Sequence, residues 1–219
     1  MIEIKSLFEE RKTDIFHTLH LLEEIEKNTN TIKAGASLKS SIFIMLYNLI
    51  EGVVTQSFVK VFDTVSNVSV FSLLNNDIKL LYLKPHPTKI RTSKDILKFT
   101  NELSVLHKQS FDNYSKESDL FSGNLDARKI RELLTGSLGI KYEYHCDNEE
   151  RLLLIKNFRN QLAHGERSYS ELGRDYLKSD IEKYCNATFD YLEGFIKIIE
   201  IYILEEGYLL SKAGSISYV

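Results

Sequence analysis

The sequence has no tryptophan, two prolines, two cysteines and ten glycines in 219 residues. Each scarcity excludes something. Cys146 and Cys185 have neither CxxC spacing nor a secretory context, so they are expected to be reduced thiols in a cytosol. The glycines are scattered, with no GxGxxG and no Walker-type loop, so no nucleotide-phosphate cradle is written in the chain. The opening "MIEIKSLFEERK" carries charges where a signal peptide needs an apolar stretch. The longest apolar run, "SIFIMLYNLI" at 41–50, is too short to span a bilayer and is expected to be a buried helix. A cytoplasmic protein with no membrane partner is therefore expected.

What is present is 43% hydrophobic and 27% charged, the composition of a globular chain with one core or a core with an insert. The net charge of −3 does not announce a nucleic-acid binder, but its distribution is uneven. Residues 79–116 hold eight Lys and Arg against three Asp and Glu, whereas 180–206 hold two against seven. Such asymmetry permits a basic face on an acidic protein, and equally describes a mixed solvated surface.

Helical period dominates. Ile4, Leu7, Phe8, Ile15, Leu19, Leu22 and Ile25 predict an amphipathic helix to about Lys27. A more apolar helix is expected from Ser37, as N-cap, to about Asp63. A short helix near Asn76–Leu83, the breaker "KPHP" and a helix from Ser93 to about Ser115 follow. "SGNLDARKIRELLTGSLG" predicts a short helix capped by Asn124 and stopped at Gly136. "IKYEYH" is a candidate strand, Asp147 or Asn148 caps the next helix, and a last helix covers roughly Ser179 to Glu205. The expected fold is all-α: one domain, an up-and-down bundle of four longer helices with a helical insert at about 64–146.

One heptapeptide carries chemistry. "RNQLAHG", at 159–165, ends a helix, because Gly165 is a natural C′ residue. Its residues suit an ordinary helix end, where His164 and Arg159 interact favourably with the dipole. They also suit RNA cleavage. Asn160 and His164 are i and i+4 and share a face. A second Arg–His pair, Arg11 and His17, lies inside the first helix, its members about 240° apart by the helical period, and forms no site. On the second helix Asn48, Glu51 and Thr55 form a polar stripe. Glu51 is expected either to fix helix register or to orient Arg159 or His164. His17, His20 and Glu24 have a spacing that a metal could use, but they sit on the charged side of an amphipathic helix, and no metal is expected.

The chain resembles the HEPN superfamily, helical bundles whose nuclease members carry Arg, usually an adjacent Asn, and His after four to six residues. Arg159, Asn160 and His164 fit that pattern. "MLYNLIEG" at 45–52, "SGNLDARKIRELL" at 122–134 and "SYSELGRDY" at 168–176 are similar to a bacterial, defence-associated HEPN subfamily. The resemblance implies a homodimer with two motifs meeting at a two-fold axis, metal-independent RNA cleavage without a cofactor, and a role as toxin or phage-defence effector. It also implies an antitoxin or another defence-system protein as partner. In toxins paired with a nucleotidyltransferase, a Tyr that becomes modified stands two residues after the His. Here that position is Glu166, although Tyr169 is near.

The chemistry suits these side chains. RNA carries its own nucleophile, the 2′-OH, so the protein needs a proton-transfer group, which His supplies, and a fixed cation for the phosphorane, which Arg supplies. Arg159, His164 and Asn160 are thus the expected catalytic residues, Glu51 and Asn48 their supports, and Lys156, Arg167 and Arg174 candidate RNA contacts. Two other readings stay open: a HEPN module that binds RNA or a nucleotide without cutting, and a helical interaction protein in a defence complex.

Overall fold

The computed structural model describes residues 1–27, 31–83, 103, 105–113, 124–140 and 149–212. Among these the fold is all-α. Its helices are α1 (Ile2–Glu26), α2 (Ile32–Ser66), α3 (Asn76–Leu83), α4 (Ala127–Ser137), α5 (Glu149–Ala163), α6 (Tyr169–Arg174) and α7 (Lys178–Leu204). The only strand-like pairing among them is one isolated antiparallel bridge, Leu74 to Leu209. The residues cluster into two compact units: Met1–Val54 with Asn124–Ala127 and Cys146–Ile196, and Thr55–Gly123 with Arg128–His145 and Lys197–Val219.

In the first unit, α1 buries Ile4, Phe8, Ile15, Leu19 and Leu22, the stripe that its sequence period marks. Contacts with α2 run in descending order: Arg11 to Asn48, Thr18 to Met45, Glu26 to Lys39. Contacts with α7 descend likewise, from Lys12–Glu193 through Phe16–Phe189 to Glu23–Lys178. Helix α1 therefore lies antiparallel to both. Phe43 of α2 sits at the centre of an aromatic cluster with Phe158, Tyr176 and Tyr184, ring centroids 4.7 to 5.3 Å away. Each such pair adds about 0.5–1.5 kcal/mol beyond area burial, so α5, the α6–α7 turn and α7 are locked onto α2 here.

Two starts differ from expectation. Helix α2 begins at Ile32, so Ser37 is interior and not an N-cap; its carbonyl accepts from the Ser41 hydroxyl at 3.0 Å. The early turn is held by tertiary packing, because Gly173 of α6 lies against the Ala36 backbone with no room for a Cβ. Helix α6 is an element beyond those that helical period marks. "SYSE" is a capping box: Ser168 accepts from the Glu171 N–H, and the Glu171 carboxylate accepts from the Ser168 N–H at 2.7 Å. Those bonds hold the Glu171 carboxyl below the usual carboxylate range.

In the second unit Asn75 is the organising polar residue. Buried, it caps α3 by accepting from the Ile78 N–H, donates Nδ2 to the Gly207 carbonyl at 2.7 Å, and donates its N–H to Tyr208 O. The described part of the helix expected over Ser93–Ser115 is interrupted. Leu106–Lys108 is a 3-10 turn and Gln109 is extended (ψ 133°), because buried His107 is drawn to the Val68 carbonyl, 2.8 Å from Nε2. Asn124 does not cap α4, since the helix starts at Ala127, and Gly136 is interior; the left-handed residue past the end is Gly139, φ 69°. The candidate strand "IKYEYH", the cap at Asp147 or Asn148 and most of the basic stretch lie outside the described residues.

Helix α2 has 35 residues, and an 18-residue window of mean hydropathy 1.5 is long and apolar enough to cross a membrane by length and composition. That window is 56% buried within the protein, as core helices are.

Candidate active site at the end of α5

Helix α5 stops where its sequence says it should. Gly165 has φ 70°; its N–H donates to Leu162 O at 3.3 Å and the Glu166 N–H donates to Gln161 O at 2.9 Å. This is a Schellman motif, which makes His164 the cap residue. Its imidazole is exposed and makes no hydrogen bond among the described residues.

Arg159 is held from two sides. Its Cζ lies 4.8 Å from the centroid of the Tyr47 ring, and Nη1 donates to Asn160 Oδ1 at 3.0 Å. Asn160 Nδ2 in turn donates to Asn124 Oδ1 at 3.0 Å. No carboxylate pairs with Arg159 among the described residues, so the guanidinium is fixed by a π face and an amide while its charge stays uncompensated. Burial raises the Tyr47 phenol above its ordinary range, with Glu51 adding to the shift and the Leu125 N–H and Arg159 opposing it. Tyr47 is therefore a neutral platform at neutral pH, not a base.

The segment 124–127 is tied down at every residue. Asn124 holds Asn160, the Leu125 N–H donates to Tyr47 Oη at 3.4 Å, Asp126 pairs with Lys156 at 2.7 Å, and the Ala127 carbonyl accepts from Tyr191 Oη. The motif is thus built on three pieces of chain: α5, α2 and this short connection.

Not every residue named from sequence is brought here. Glu51 lies one turn past Tyr47 and acts on it through its charge, but it makes no hydrogen bond or ion pair with Arg159 or His164 among the described residues. The exposed Asn48 contributes only a backbone carbonyl, which accepts from Arg11 Nη1 at 2.6 Å. Lys156 is committed to Asp126. Arg167 donates to the Glu171 carbonyl at 2.8 Å and to Asp175 at 2.6 Å, bracing α6. Arg174 borders an open cleft with Ile32, Ala36 and Lys39 at the start of α2. Tyr47 is eleven residues beyond Ala36, about 16 Å along the helix at 1.5 Å per residue. Tyr47 is buried, as its apolar run implies, but its role beneath Arg159 was not read from sequence; Asn124 was expected as a helix cap, and Asp126 was given no role, although the resemblance carried by "SGNLDARKIRELL" covers both.

A metal has no assembled ligand set: no group of three or more His, Cys, Asp or Glu gathers among the described residues. Glu24 is held by Lys27 at 2.6 Å and Glu23 by Lys178 at 3.0 Å, and each pairing keeps its carboxyl below the usual range.

A comparison with protein families identifies the fold over most of the chain. Residues 3–208 match the HEPN family described as HEPN_MAE_28990-like. No curated protein and no solved structure matches. A match over nearly the full length, on an all-α fold whose Arg–Asn–His motif sits at a helix end, makes this chain a member of the HEPN_MAE_28990-like HEPN family.

Proposed function

We propose that the protein is a metal-independent endoribonuclease, with Arg159 and His164 catalytic, Asn160 assisting, and RNA as substrate. The observation that carries this reading is the state of Arg159. A guanidinium that is half-buried, oriented by Tyr47 and Asn160 and paired with no carboxylate among the described residues is prepared for an anion. In the reaction the 2′-oxygen attacks phosphorus and the bond to the 5′-oxygen breaks. One imidazole takes the 2′-OH proton, another group protonates the leaving oxygen, and Arg159 binds the non-bridging oxygens. The products are a 2′,3′-cyclic phosphate and a 5′-OH. DNA, lacking the 2′-OH, is not a substrate.

The site is completed by a second copy. Arg159 and His164 are five residues apart, about 140° around α5, so one chain turns Arg159 towards Tyr47 and His164 towards solvent. His164 shares its face with exposed Leu153 and Asn157, and exposed Leu154 borders them, a mixed apolar and polar strip for a like strip to cover. Across a two-fold axis the partner's His164 supplies the second proton-transfer group. A toxin or phage-defence role, with a neutralising protein partner, follows from the subfamily resemblance.

A second reading is favoured by one observation: among the described residues, His164 has no hydrogen bond that orients its ring. In that reading the protein binds RNA and does not cut it. Purified protein with labelled single-stranded RNA, in EDTA, separates the two. Cleavage to cyclic phosphate, lost in Arg159→Ala and His164→Ala, supports the nuclease. Binding without cleavage supports the module, and activity that EDTA abolishes and magnesium restores refutes the mechanism.

A further inference from the structure

We propose that Arg11, on α1, is a second phosphate-binding residue, which grips the RNA backbone on a neighbouring flank of α2 from that of Arg159. The proposal rests on the reading above for the identity of the ligand. Sequence spacing sets Arg11 apart from any site, because His17 diverges from it. The fold gives it a different neighbour. Arg11 Nη1 donates to the Asn48 carbonyl at 2.6 Å, and Asn48 directly follows Tyr47, the platform beneath Arg159. Both guanidinium groups therefore lie against neighbouring stretches of α2, Arg159 on the Tyr47 ring and Arg11 at Asn48 and Gly52, positions about 100–140° from Tyr47 around the helix by its period.

The placement of Arg11 is built. A Cβ at Gly52 would stand 2.7 Å from Nη1, so the glycine leaves the room against α2 that the guanidinium occupies. No carboxylate pairs with Arg11 among the described residues, whereas Lys12, its neighbour, is paired with Glu193 at 2.8 Å. One N–H of the fork is spent on a backbone carbonyl, and the remaining donors and the whole charge are left for an anion. Between the two arginines on the α2 surface stand exposed Asn48 and half-buried Glu51. The Glu51 carboxylate repels phosphate at its own position and accepts from a hydroxyl, so the strip favours a strand whose phosphates fall at its two ends and whose ribose lies between. DNA or a mononucleotide meets only part of this pattern.

The test is RNA binding by the full-length His164→Ala protein, with a short single-stranded RNA as probe, over a salt series. Adding Arg11→Gln is expected to weaken binding roughly tenfold at low salt and to flatten the slope of log K against log salt by about 0.7, the signature of one lost single-strand phosphate contact. Lys12→Gln removes the same charge one residue away and should leave the slope unchanged. An unchanged slope in Arg11→Gln overturns the proposal, as does a weakening accounted for by a fall in the folded fraction measured in the same samples. The outcomes also separate this inference from the nuclease reading. Wild type that cuts RNA while Arg11→Gln keeps its slope removes only the inference. RNA bound through Arg11 but never cut by wild type removes only the nuclease. No RNA binding at all removes both.

Discussion

The Lys156–Asp126 pair offers the sharpest test of how this site is assembled. Lys156 lies three residues before Arg159 on α5 and was a candidate for RNA contact; the structure ties it to Asp126 at 2.7 Å, with the two side chains only 16% and 5% exposed. Asp126→Asn keeps shape and an acceptor but removes the charge, leaving a largely buried ammonium without its counter-ion. Removing one partner of a buried pair costs about 3–5 kcal/mol, and the retained amide acceptor lowers this to about 2–3 kcal/mol. With a urea slope of about 2 kcal/mol/M, the unfolding midpoint should fall by about 1 M. Lys156→Met, which packs its stem in the same space, should cost less than Asp126→Asn, and the double variant should recover part of the loss. A coupling energy of about 1–2 kcal/mol is expected from the cycle. The assay is urea unfolding followed by circular dichroism, since the chain has no tryptophan. A midpoint within about 0.2 M of wild type for Asp126→Asn, or strict additivity, would refute the idea that this pair pins the 124–127 segment to α5. The same variants address function: per folded molecule, Lys156→Met should keep the RNA salt slope of wild type, and a slope flattened by about 0.7 would mean that Lys156 leaves Asp126 for phosphate.

Glu51→Gln should reduce cleavage at least tenfold with little change in thermal midpoint if the carboxylate is needed beside Tyr47 and Arg159; equal rates per folded molecule would assign it to helix register alone. Mixed dimers of wild type with His164→Ala should retain far less than half the wild-type rate, and activity should fall on dilution into monomer. Half-active heterodimers would show that each chain works alone. The Cys185 thiol is buried, and desolvation raises it to about 12 from an ordinary value of 9.0. Between pH 9 and 12 the unfolded thiol releases its proton while the folded one retains it, so this residue's contribution, full below pH 9, declines across that window. Cys185→Ala should show a shallower alkaline loss in melts from pH 8 to 11, and Cys185 in the folded protein should resist iodoacetamide at pH 8; rapid alkylation there would contradict its burial.

The sequence by itself determined the helices whose apolar residues keep one period and whose ends carry their own signals. Ile4 to Leu22 wrote α1, Asn75 and Asn76–Leu83 wrote α3, and Gly165 stopped α5 and so set where Arg159 and His164 project. These are local matters, because a 3.6-residue stripe and a left-handed glycine act over a few residues. The capping box at Ser168 and Glu171 was just as local and could have been read. The start of α2 could not, since Ala36 is fixed by Gly173, 137 residues further along the chain. Tertiary structure alone decided the environment of the motif. It put the Tyr47 ring under Arg159, turned Asn124 from a presumed cap into a partner of Asn160, spent Lys156 and Arg167 on carboxylates, and laid Arg11 on Gly52. A side chain's charge and reach are properties of its residue type, but whether that charge is neutralised depends on what the fold brings within about 4 Å, and no spacing along the chain encodes that distance.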